Sequence, residues 1–394
     1  MPALRISSFT ACSAAGANTR ELLAALRDRR SGLSPNNFTG QSLLTWIGRV
    51  PGVEESPLPA VMASWESRNN RLAWMGISGD GFYGAVTAAR QRYGKDRIAL
   101  VLGTSTSSMG ATEEGYRTLQ PDGMFPPHLR AEILHEPHAL GDFVQHALEL
   151  TGISLTVATA CSSSAKVFAI AERLLRAGLA DAAVVGGVDS LCGSVLFGFN
   201  SLELLSPEPC RPFDPARRGL SLGEAAGFAL LERDAPSGPW LVGYGESSDA
   251  HHMSAPHPEG LGARVAIQDA LHRAGLDPEA IDYINMHGTA TQKNDETEAR
   301  VVADLFPFNT RASSTKGWTG HTLGAAGIVE AVVTLLAINS GLVPGTLNSS
   351  SIDPAFGPQL RLDNEQADVR FAMSQSFGFG GSNCVLIFGR ERPR

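Results

Sequence analysis

Cysteine is scarce in this chain, and no two cysteines are closely spaced. The 394 residues include five cysteines, an odd number, at positions that give neither a disulfide framework nor a Cys-x-x-Cys metal site. This pattern argues against a disulfide-stapled secreted domain and against a zinc module of that kind. We therefore expect no bound metal and a reduced, cytoplasmic compartment.

Positive charge and long apolar runs are also in short supply. The formal net charge is −8, so a generally basic surface that would bind nucleic acid is not expected. We find no stretch of about 18 apolar residues and no basic region followed by an apolar core at the N-terminus, so neither a membrane span nor a secretory signal is predicted. An acidic protein partner would need a local basic patch.

Glycine, in contrast, is abundant, with 42 residues, and near-continuous apolar runs end in Gly/Ser/Thr loops. Strand-like runs alternate with helical patterns in two successive stretches of similar pattern, which predicts an α/β fold with mixed sheets covered on both faces. The Pro/Gly/Ser-rich segment 234–240 separates these stretches. We predict an N-terminal half at 1–235 and a C-terminal half at 236–394 that pack tightly, with a loop at about 120–138.

The clearest chemical signal is Cys161, which lies where a predicted strand meets a predicted helix. Residues 155–165 read LTVATACSSSA, and apolar residues then follow at helical spacing from Val167. A thiol at this position feels the positive end of the helix dipole, which lowers its pKa and favours the nucleophilic thiolate. A buried structural cysteine is the alternative for this segment taken alone.

Two histidines stand beside glycine- and threonine-rich loops. His287 follows a predicted buried strand and begins the sequence HGTAT, which offers the hydroxyls of Thr289 and Thr291 on alternate positions. His321 lies with Lys316 in the glycine-rich sequence KGWTGHTLGAAG. A single histidine is more often structural, but two in such loops together with a cysteine at a helix start indicate a catalytic group.

A third glycine-rich segment, SFGFGGSN, occupies residues 376–383. The glycines around Phe379 allow its backbone N–H to face a developing oxyanion while the ring controls access. A plain turn between two strands is the alternative for this segment alone.

Together these motifs resemble those of the β-ketoacyl-acyl-carrier-protein synthases, the elongating type I/II ketosynthases of the thiolase-like superfamily. ACSSS at 160–164, HGTAT at 287–291, the 316–327 segment and GFGGSN at 378–383 stand in the order of that family. The resemblance covers essentially the whole chain. It implies a thiolase-like fold in which two similar halves form a five-layered α-β-α-β-α sandwich.

The reaction implied by the resemblance is a decarboxylating Claisen condensation. An acyl group moves from the phosphopantetheine arm of an acyl carrier protein to Cys161, and malonyl-carrier protein then loses CO2 to form a carbanion that attacks it. His287 and His321 would donate neutral N–H groups to the enolate oxygen, and the backbone N–H groups of Cys161 and Phe379 would form the oxyanion hole.

Further roles also follow from the resemblance. Lys316 is expected to orient the site electrostatically and not to act as a general base, and Glu330 to organise this network. Phe199 would line or gate the acyl pocket and Thr106 would set its depth. The implied substrate-binding residues are Thr289, Thr291, Phe199, Thr106 and Gly380.

The implied partner is an acyl carrier protein, with no cofactor beyond the phosphopantetheine that carries the substrates. Carrier docking would involve Arg68, Arg71 and Arg130, although Glu203 stands where many relatives have a basic residue and an ordinary solvated face is the alternative. The resemblance also implies a homodimer, or a heterodimer with a chain-length-factor-like ketosynthase, with the strand near Ala158 as a subunit contact.

The predicted function is formation of a 3-oxoacyl-carrier protein in fatty-acid elongation. The alternative is a dedicated ketosynthase of a polyketide or aryl-polyene pathway, paired with a chain-length factor. A thiolase would need a second cysteine in a Cys-x-Gly loop, which Cys384 does not supply. An initiating synthase would use one histidine and one asparagine, and a chain-length factor itself would lack Cys161.

Overall fold

The computed structural model describes residues 1–40 and 42–393. The strands are β1 (Leu4–Ser13), β2 (Ser34–Pro35), β3 (Trp46–Gly48), β4 (Ile98–Gly103), β5 (Ser154–Val157), β6 (Ala182–Asp189), β7 (Leu222–Gly223), β8 (Ala225–Glu232), β9 (Trp240–Ser248), β10 (Tyr283–Asn285), β11 (Arg311–Ser313), β12 (Leu342–Val343), β13 (Glu365–Gln366), β14 (Phe371–Gly378) and β15 (Ser382–Gly389). The helices are α1 (Thr19–Arg27), α2 (Arg68–Ser78), α3 (Phe82–Tyr93), α4 (Met109–Arg117), α5 (Ala139–Ala147), α6 (Ser163–Arg176), α7 (Gly193–Ser201), α8 (Leu261–Ala274), α9 (Gln292–Leu305), α10 (Lys316–Thr319) and α11 (Ala326–Ser340).

Ten strands form one hydrogen-bonded sheet in the order β11-β10-β14-β15-β9-β1-β8-β6-β4-β5. Each half contributes five strands, which when numbered along the chain lie in the same order, 3-2-4-5-1. The directions also match, because the first two pairings of each half are parallel and the last two antiparallel. The halves meet where β1 pairs with β9, and the predicted boundary at residue 235 lies in the connection from β8 to β9.

Helices α6 and α11 form the layer between the two halves of the sheet. α6 packs on β4 and β6 of the N-terminal half and on β9 and β15 of the C-terminal half, and α11 likewise contacts strands of both halves. The outer face of the N-terminal half is covered by α2, α3 and α5, and that of the C-terminal half by α8 and α9. The predicted thiolase-like, five-layered α/β fold is therefore confirmed.

The sequence explains why α6 lies in this central layer. Val167, Ala171 and Leu175 recur at helical spacing and are all buried in the cluster that joins the two halves. Arg173 and Arg176 lie in the last turn, where positive charge is favourable to the helix dipole. The residues that follow Cys161 therefore belong to a helix that is firmly packed in the core.

Helix α11 is strongly apolar and lies in the core. The segment Leu323–Ser340 is long and apolar enough to cross a membrane, so the statement from the sequence that no such stretch exists is wrong here. It is the one such candidate in the ranges 1–40 and 42–393, and 89% of it is buried inside the fold. Strands of both halves cover it, which makes it a core helix.

Candidate active site

The predicted nucleophile lies at the end of β5, on the turn that begins α6. A short 3-10 turn, Ala160–Ser162, connects the two elements, and Ala160 has a φ of 51°. This left-handed conformation costs a non-glycine residue about 1 kcal/mol or more and is held by the surrounding structure. The turn places the nearly buried Cys161 side chain at a cavity of about 440 Å³.

His321 lies directly beside the cysteine, with its Nε2 atom 3.0 Å from Cys161 Sγ. Its other nitrogen, Nδ1, accepts a hydrogen bond from the Leu323 N–H at 3.2 Å. The proton of the neutral ring is therefore on Nε2. Burial, with the positive charge of Lys316, lowers the pKa of His321 well below its usual value. His321 thus presents a neutral N–H to the sulfur.

His287 is held in the same form by Lys316. The Lys316 Nζ atom is 3.3 Å from His287 Nδ1, and it also donates to the His287 carbonyl oxygen and to the Glu330 carboxylate. Because an ammonium group can only donate, Nδ1 must accept and the ring proton is on Nε2. Burial, followed by the charge of Lys316 and the nearby His321, lowers the pKa of His287 well below its usual value.

The ion pair behind the histidines is itself buried. Lys316 begins α10 and Glu330 lies in α11, and both side chains are almost inaccessible. Burial raises the pKa of Glu330 to about 7, against the opposing effect of Lys316. All three N–H groups of Lys316 have acceptors. This geometry suits an orienting cation and offers no free lone pair for a general base.

Burial reverses the expected effect on the cysteine. It raises the pKa of the Cys161 thiol to about 11, although Lys316 and the backbone N–H of Phe379 act in the opposite direction. The prediction of a lowered thiol pKa, made from the helix start alone, is therefore wrong. Removing the sulfur from water destabilises the thiolate by more than the nearby charge and hydrogen-bond donors stabilise it.

The HGTAT loop is fixed by two buried carboxylates, Glu298 and Asp295, which were not among the residues predicted for the site. Glu298 accepts the backbone N–H groups of His287 and Gly288 at 2.6 and 2.7 Å. Asp295 accepts those of Phe213 and Ala290 at 2.8 and 3.2 Å. Asp295 lies in the first turn of α9 and Glu298 one turn further on, so two acidic residues three positions apart, soon after the loop, were the available signal.

The glycine-rich segment forms one wall of the cavity. The rings of Phe379 and Phe199 stack with centroids 5.6 Å apart, so the two predicted gating residues are in contact. A side chain at Gly378 would bring its Cβ within 2.9 Å of the Thr159 carbonyl oxygen, so glycine is required for this approach to the Cys161 turn. Gly380 is exposed and donates its N–H to the Met253 carbonyl oxygen at 2.7 Å.

The remaining predicted substrate residues divide into two groups. Thr289 and Thr291 line the cavity, with their hydroxyl oxygens 2.8 Å apart. Thr106 is absent from that lining, and its hydroxyl and backbone N–H both donate to Asp189, at 2.7 and 2.8 Å. Its proposed contact with the acyl chain has no counterpart in this arrangement of the loop.

Two of the arginines predicted to dock a carrier are bound to carboxylates of this chain. Arg68 pairs with Glu224 and Glu54, and Arg71 pairs with Glu66. Arg130 lies more openly, 3.9 Å from Asp122. At the mouth of the catalytic cavity stand two other cations, Arg218 and Lys293, which are exposed and have no ion pair within the described ranges.

The cysteine and the two histidines could by composition hold a metal ion. Their ligand atoms lie within 4.8 Å of one another. A metal would need lone pairs on the histidine nitrogens that face the cavity, and the contacts from Leu323 and Lys316 place protons there instead. The donor set in this form does not fit a metal, and its expected absence stays a prediction.

Comparison with known proteins shows the family to which the chain belongs. Residues 82–237 match the family model "Beta-ketoacyl synthase, N-terminal domain", and residues 240–350 match "Beta-ketoacyl synthase, C-terminal domain". The fold and these matches define a ketosynthase of the thiolase-like class. The chain belongs to the β-ketoacyl synthase family, which confirms the family predicted from the sequence.

Similarity to individual proteins and to a solved structure supports this family assignment. The chain is 41% identical to the mitochondrial 3-oxoacyl-[acyl-carrier-protein] synthase of Arabidopsis thaliana, over 58% of this chain and 55% of that protein, so it spans about half the length of that relative. It is 33% identical to 3-oxoacyl-[acyl-carrier-protein] synthase 2 of Staphylococcus aureus (strain COL), over 74% and 75%. Among solved structures, a ketosynthase (ApeO) in complex with its chain length factor (ApeC) from Xenorhabdus doucetiae matches with a TM-score of 0.91, at 37% identity over 98% of both chains.

Proposed function

We propose that this protein is a 3-oxoacyl-acyl-carrier-protein synthase that joins an acyl group held on Cys161 to malonyl-carrier protein with loss of CO2. The observation that carries the proposal is the arrangement at one cavity of a cysteine sulfur and two neutral histidines, each with its proton on Nε2. Such a set provides one nucleophile and two hydrogen-bond donors without an acid strong enough to quench a carbanion.

The first half-reaction is acyl transfer. Cys161 Sγ attacks the thioester carbonyl of the acyl-carrier protein, the bond from that carbonyl to the phosphopantetheine sulfur breaks, and the thiol proton ends on the departing sulfur. The backbone N–H groups of Cys161 and Phe379 meet the oxyanion. Because the thiol pKa is raised to about 11, the thiol keeps its proton until it attacks, and the proton passes to the departing phosphopantetheine sulfur as the thioester bond breaks, while the His321 N–H donates to the Cys161 sulfur at 3.0 Å.

The second half-reaction forms the new carbon–carbon bond. The bond from the malonyl carbon to its carboxylate breaks, CO2 leaves, and the electron pair is held as an enolate whose oxygen accepts from His287 and His321. The carbanion attacks the acyl carbonyl and expels the Cys161 sulfur as a thiolate, which takes up a proton from water. Lys316 and Glu330 maintain the orientation of His287 throughout.

The carrier is proposed to deliver its arm through the mouth of the same cavity. The hydroxyls of Thr289 and Thr291 face the arm along the wall, and Arg218 and Lys293 provide positive charge at the rim for an acidic partner. The enzyme itself needs no cofactor in this scheme, because phosphopantetheine arrives with the substrates.

A second candidate is a ketosynthase dedicated to a polyketide or aryl-polyene pathway. It is favoured by the likeness to a ketosynthase that was solved with its chain length factor. The N-terminal half also ends its sheet at β5, an edge strand on which Leu155 is 39% exposed. Such an edge suits pairing with a second subunit, either a copy of this chain or a chain-length-factor-like partner. We also propose a cytoplasmic location, in keeping with five free cysteines.

Mass spectrometry of Cys161 tests the proposal. The purified chain is incubated with a series of acyl-carrier proteins, alone and with a candidate chain-length factor, before malonyl-carrier protein is added. We expect an acyl adduct on Cys161 that is consumed as the 3-oxoacyl product forms. Cys161→Ala should fold, carry no adduct and make no product, and elongation by that variant would remove the basis of the proposal.

A further inference from the structure

Asp189, at the C-terminal end of β6, is a fully buried carboxylate without an ion pair in the part of the chain that is described. Burial of a carboxylate is costly unless donors satisfy it. Here hydrogen-bond donors from two separate segments do so. These are Thr104 Oγ1 at 2.6 Å, the Ser105 N–H at 2.9 Å to each oxygen, the Thr106 N–H at 2.8 Å and hydroxyl at 2.7 Å, and the Gly324 N–H at 2.6 Å.

One of these segments controls His321. Gly324 belongs to the 3-10 turn Leu323–Ala325, and the N–H of its neighbour Leu323 donates to His321 Nδ1. Leu323 has a φ of 55°, a strained conformation for a leucine, so the turn needs an external anchor. A Cβ at Gly324 would lie 2.7 Å from Asp189 Oδ2, which shows how closely the turn approaches this anchor.

The other segment lies beside the nucleophile. Residues Thr104, Ser105 and Thr106 follow β4, and the Ser105 hydroxyl donates to the carbonyl oxygen of Ala160 at 3.4 Å, next to Cys161. One carboxylate therefore joins the loop beside Cys161 to the turn behind His321.

We infer that Asp189 is a positioning residue that fixes the orientation and the tautomer of His321 through the turn Leu323–Ala325. This inference rests on the proposed function, in which the Nε2 proton of His321 meets the malonyl enolate. Asp189 touches neither substrate nor the reacting atoms and acts only through the Gly324 and Leu323 N–H groups.

The nature of the contacts makes asparagine a sharp probe. Every partner donates to Asp189, so the amide NH2 of Asp189→Asn would face an N–H donor whichever way the side chain turned. Four donors of the Thr104–Thr106 loop converge on Oδ1, whereas only the Ser105 and Gly324 N–H groups reach Oδ2. The amide oxygen of Asp189→Asn is therefore expected at the Oδ1 position, which turns its NH2 against the Gly324 N–H and releases that turn in a variant of almost unchanged shape. Thr104→Val is the matched control, because it removes a loop-side hydroxyl that donates to Asp189 and accepts the Ser107 N–H, and it leaves the Gly324 contact in place.

The two half-reactions are measured separately, together with the 15N and 1H NMR signals of His321. For Asp189→Asn we expect malonyl decarboxylation to slow by about tenfold or more, in line with the loss of one aligned oxyanion donor, and Cys161 acylation to change by less than about threefold. His321 should lose the pure Nε2–H signature of the parent protein. Thr104→Val should retain both the rate and the signature.

Parent-like decarboxylation together with a parent-like His321 signal in Asp189→Asn would overturn the inference. An equal loss of both half-reactions would also overturn it, since that is the mark of a merely structural residue. If Asp189→Asn does not fold, Gly324→Ala displaces the same turn while Asp189 stays, and the same split between half-reactions is required. Failure of the proposed function is distinguishable, because the parent protein would then perform neither half-reaction.

Discussion

Replacing Lys316 with methionine removes a positive charge that contacts His287 and Glu330 and that also acts electrostatically on the Cys161 sulfur. Two effects are expected. The ring of His287 loses the donor that places its proton on Nε2, and Glu330 is left buried without its partner. The first effect changes the chemistry, whereas the second changes stability.

The stability effect depends on pH in a definite direction. In the parent protein burial raises the pKa of Glu330 from 4.5 to about 7, so between these values the folded state binds more protons than the unfolded state. Stability contributed by this group therefore falls as pH rises through this window. Without Lys316 the pKa rises further, and the loss extends above pH 7. The change from 4.5 to about 7 corresponds to about 3 kcal/mol in the parent protein, and removing one partner of a buried pair is expected to cost about 3–5 kcal/mol.

Urea unfolding of Lys316→Met at pH 5 and pH 8 measures this effect, with Lys316→Met/Glu330→Gln as the control. We expect the single variant to be destabilised mainly at pH 8, and the double variant to lose the part of this pH dependence that Glu330 contributes, because no carboxyl remains at position 330. In both variants the rate of malonyl decarboxylation should be about tenfold to a hundredfold below that of the parent protein, because His287 is no longer held by Lys316. Recovery of decarboxylation in the double variant would refute the orienting role of Lys316, and a single variant that is equally stable at both pH values would refute the buried ion pair.

Three further predictions follow from the same site. His287→Ala and His321→Ala should each still accept an acyl group on Cys161 but lose malonyl decarboxylation, which mass spectrometry and CO2 release distinguish; selective loss of acylation would reverse the roles. Alkylation of Cys161 by iodoacetamide should rise about tenfold per pH unit from pH 7 to pH 10, since the thiol pKa is raised to about 11, and a plateau near pH 8 would show that the helix start prevails over burial. Arg218→Glu and Lys293→Glu should raise KM for an acyl-carrier protein several-fold while leaving turnover of an acyl-pantetheine unchanged; equal effects on both substrates would argue against a role in carrier recognition.

The sequence predicted the parts of the site that local motifs encode. Cys161 at a strand–helix junction and His321 in a glycine-rich turn are each recognisable within a dozen residues, and the structure brings them to 3.0 Å. Contacts between distant segments could not be predicted in this way. Asp189 meets Thr104 and Gly324 across 85 and 135 residues, and Arg68 meets Glu224 across 156. The prediction of a lowered pKa for the Cys161 thiol was wrong for the same reason, because elements far away in the sequence bury this side chain.

The neutral state of both histidines has a chemical consequence beyond hydrogen bonding. A carbanion formed by decarboxylation can attack the acyl group on Cys161 or be quenched by the nearest acid. A protonated imidazole would stabilise the enolate more strongly, but it would also be acidic enough to transfer its proton and end the reaction as a simple decarboxylation. Burial and the fixed charge of Lys316 lower the pKa of His287 and His321 well below neutral, so that each offers an N–H that is a far weaker acid. Lys316 therefore favours condensation in two ways: it orients His287, and its charge adds to the effect of burial that keeps both histidines neutral.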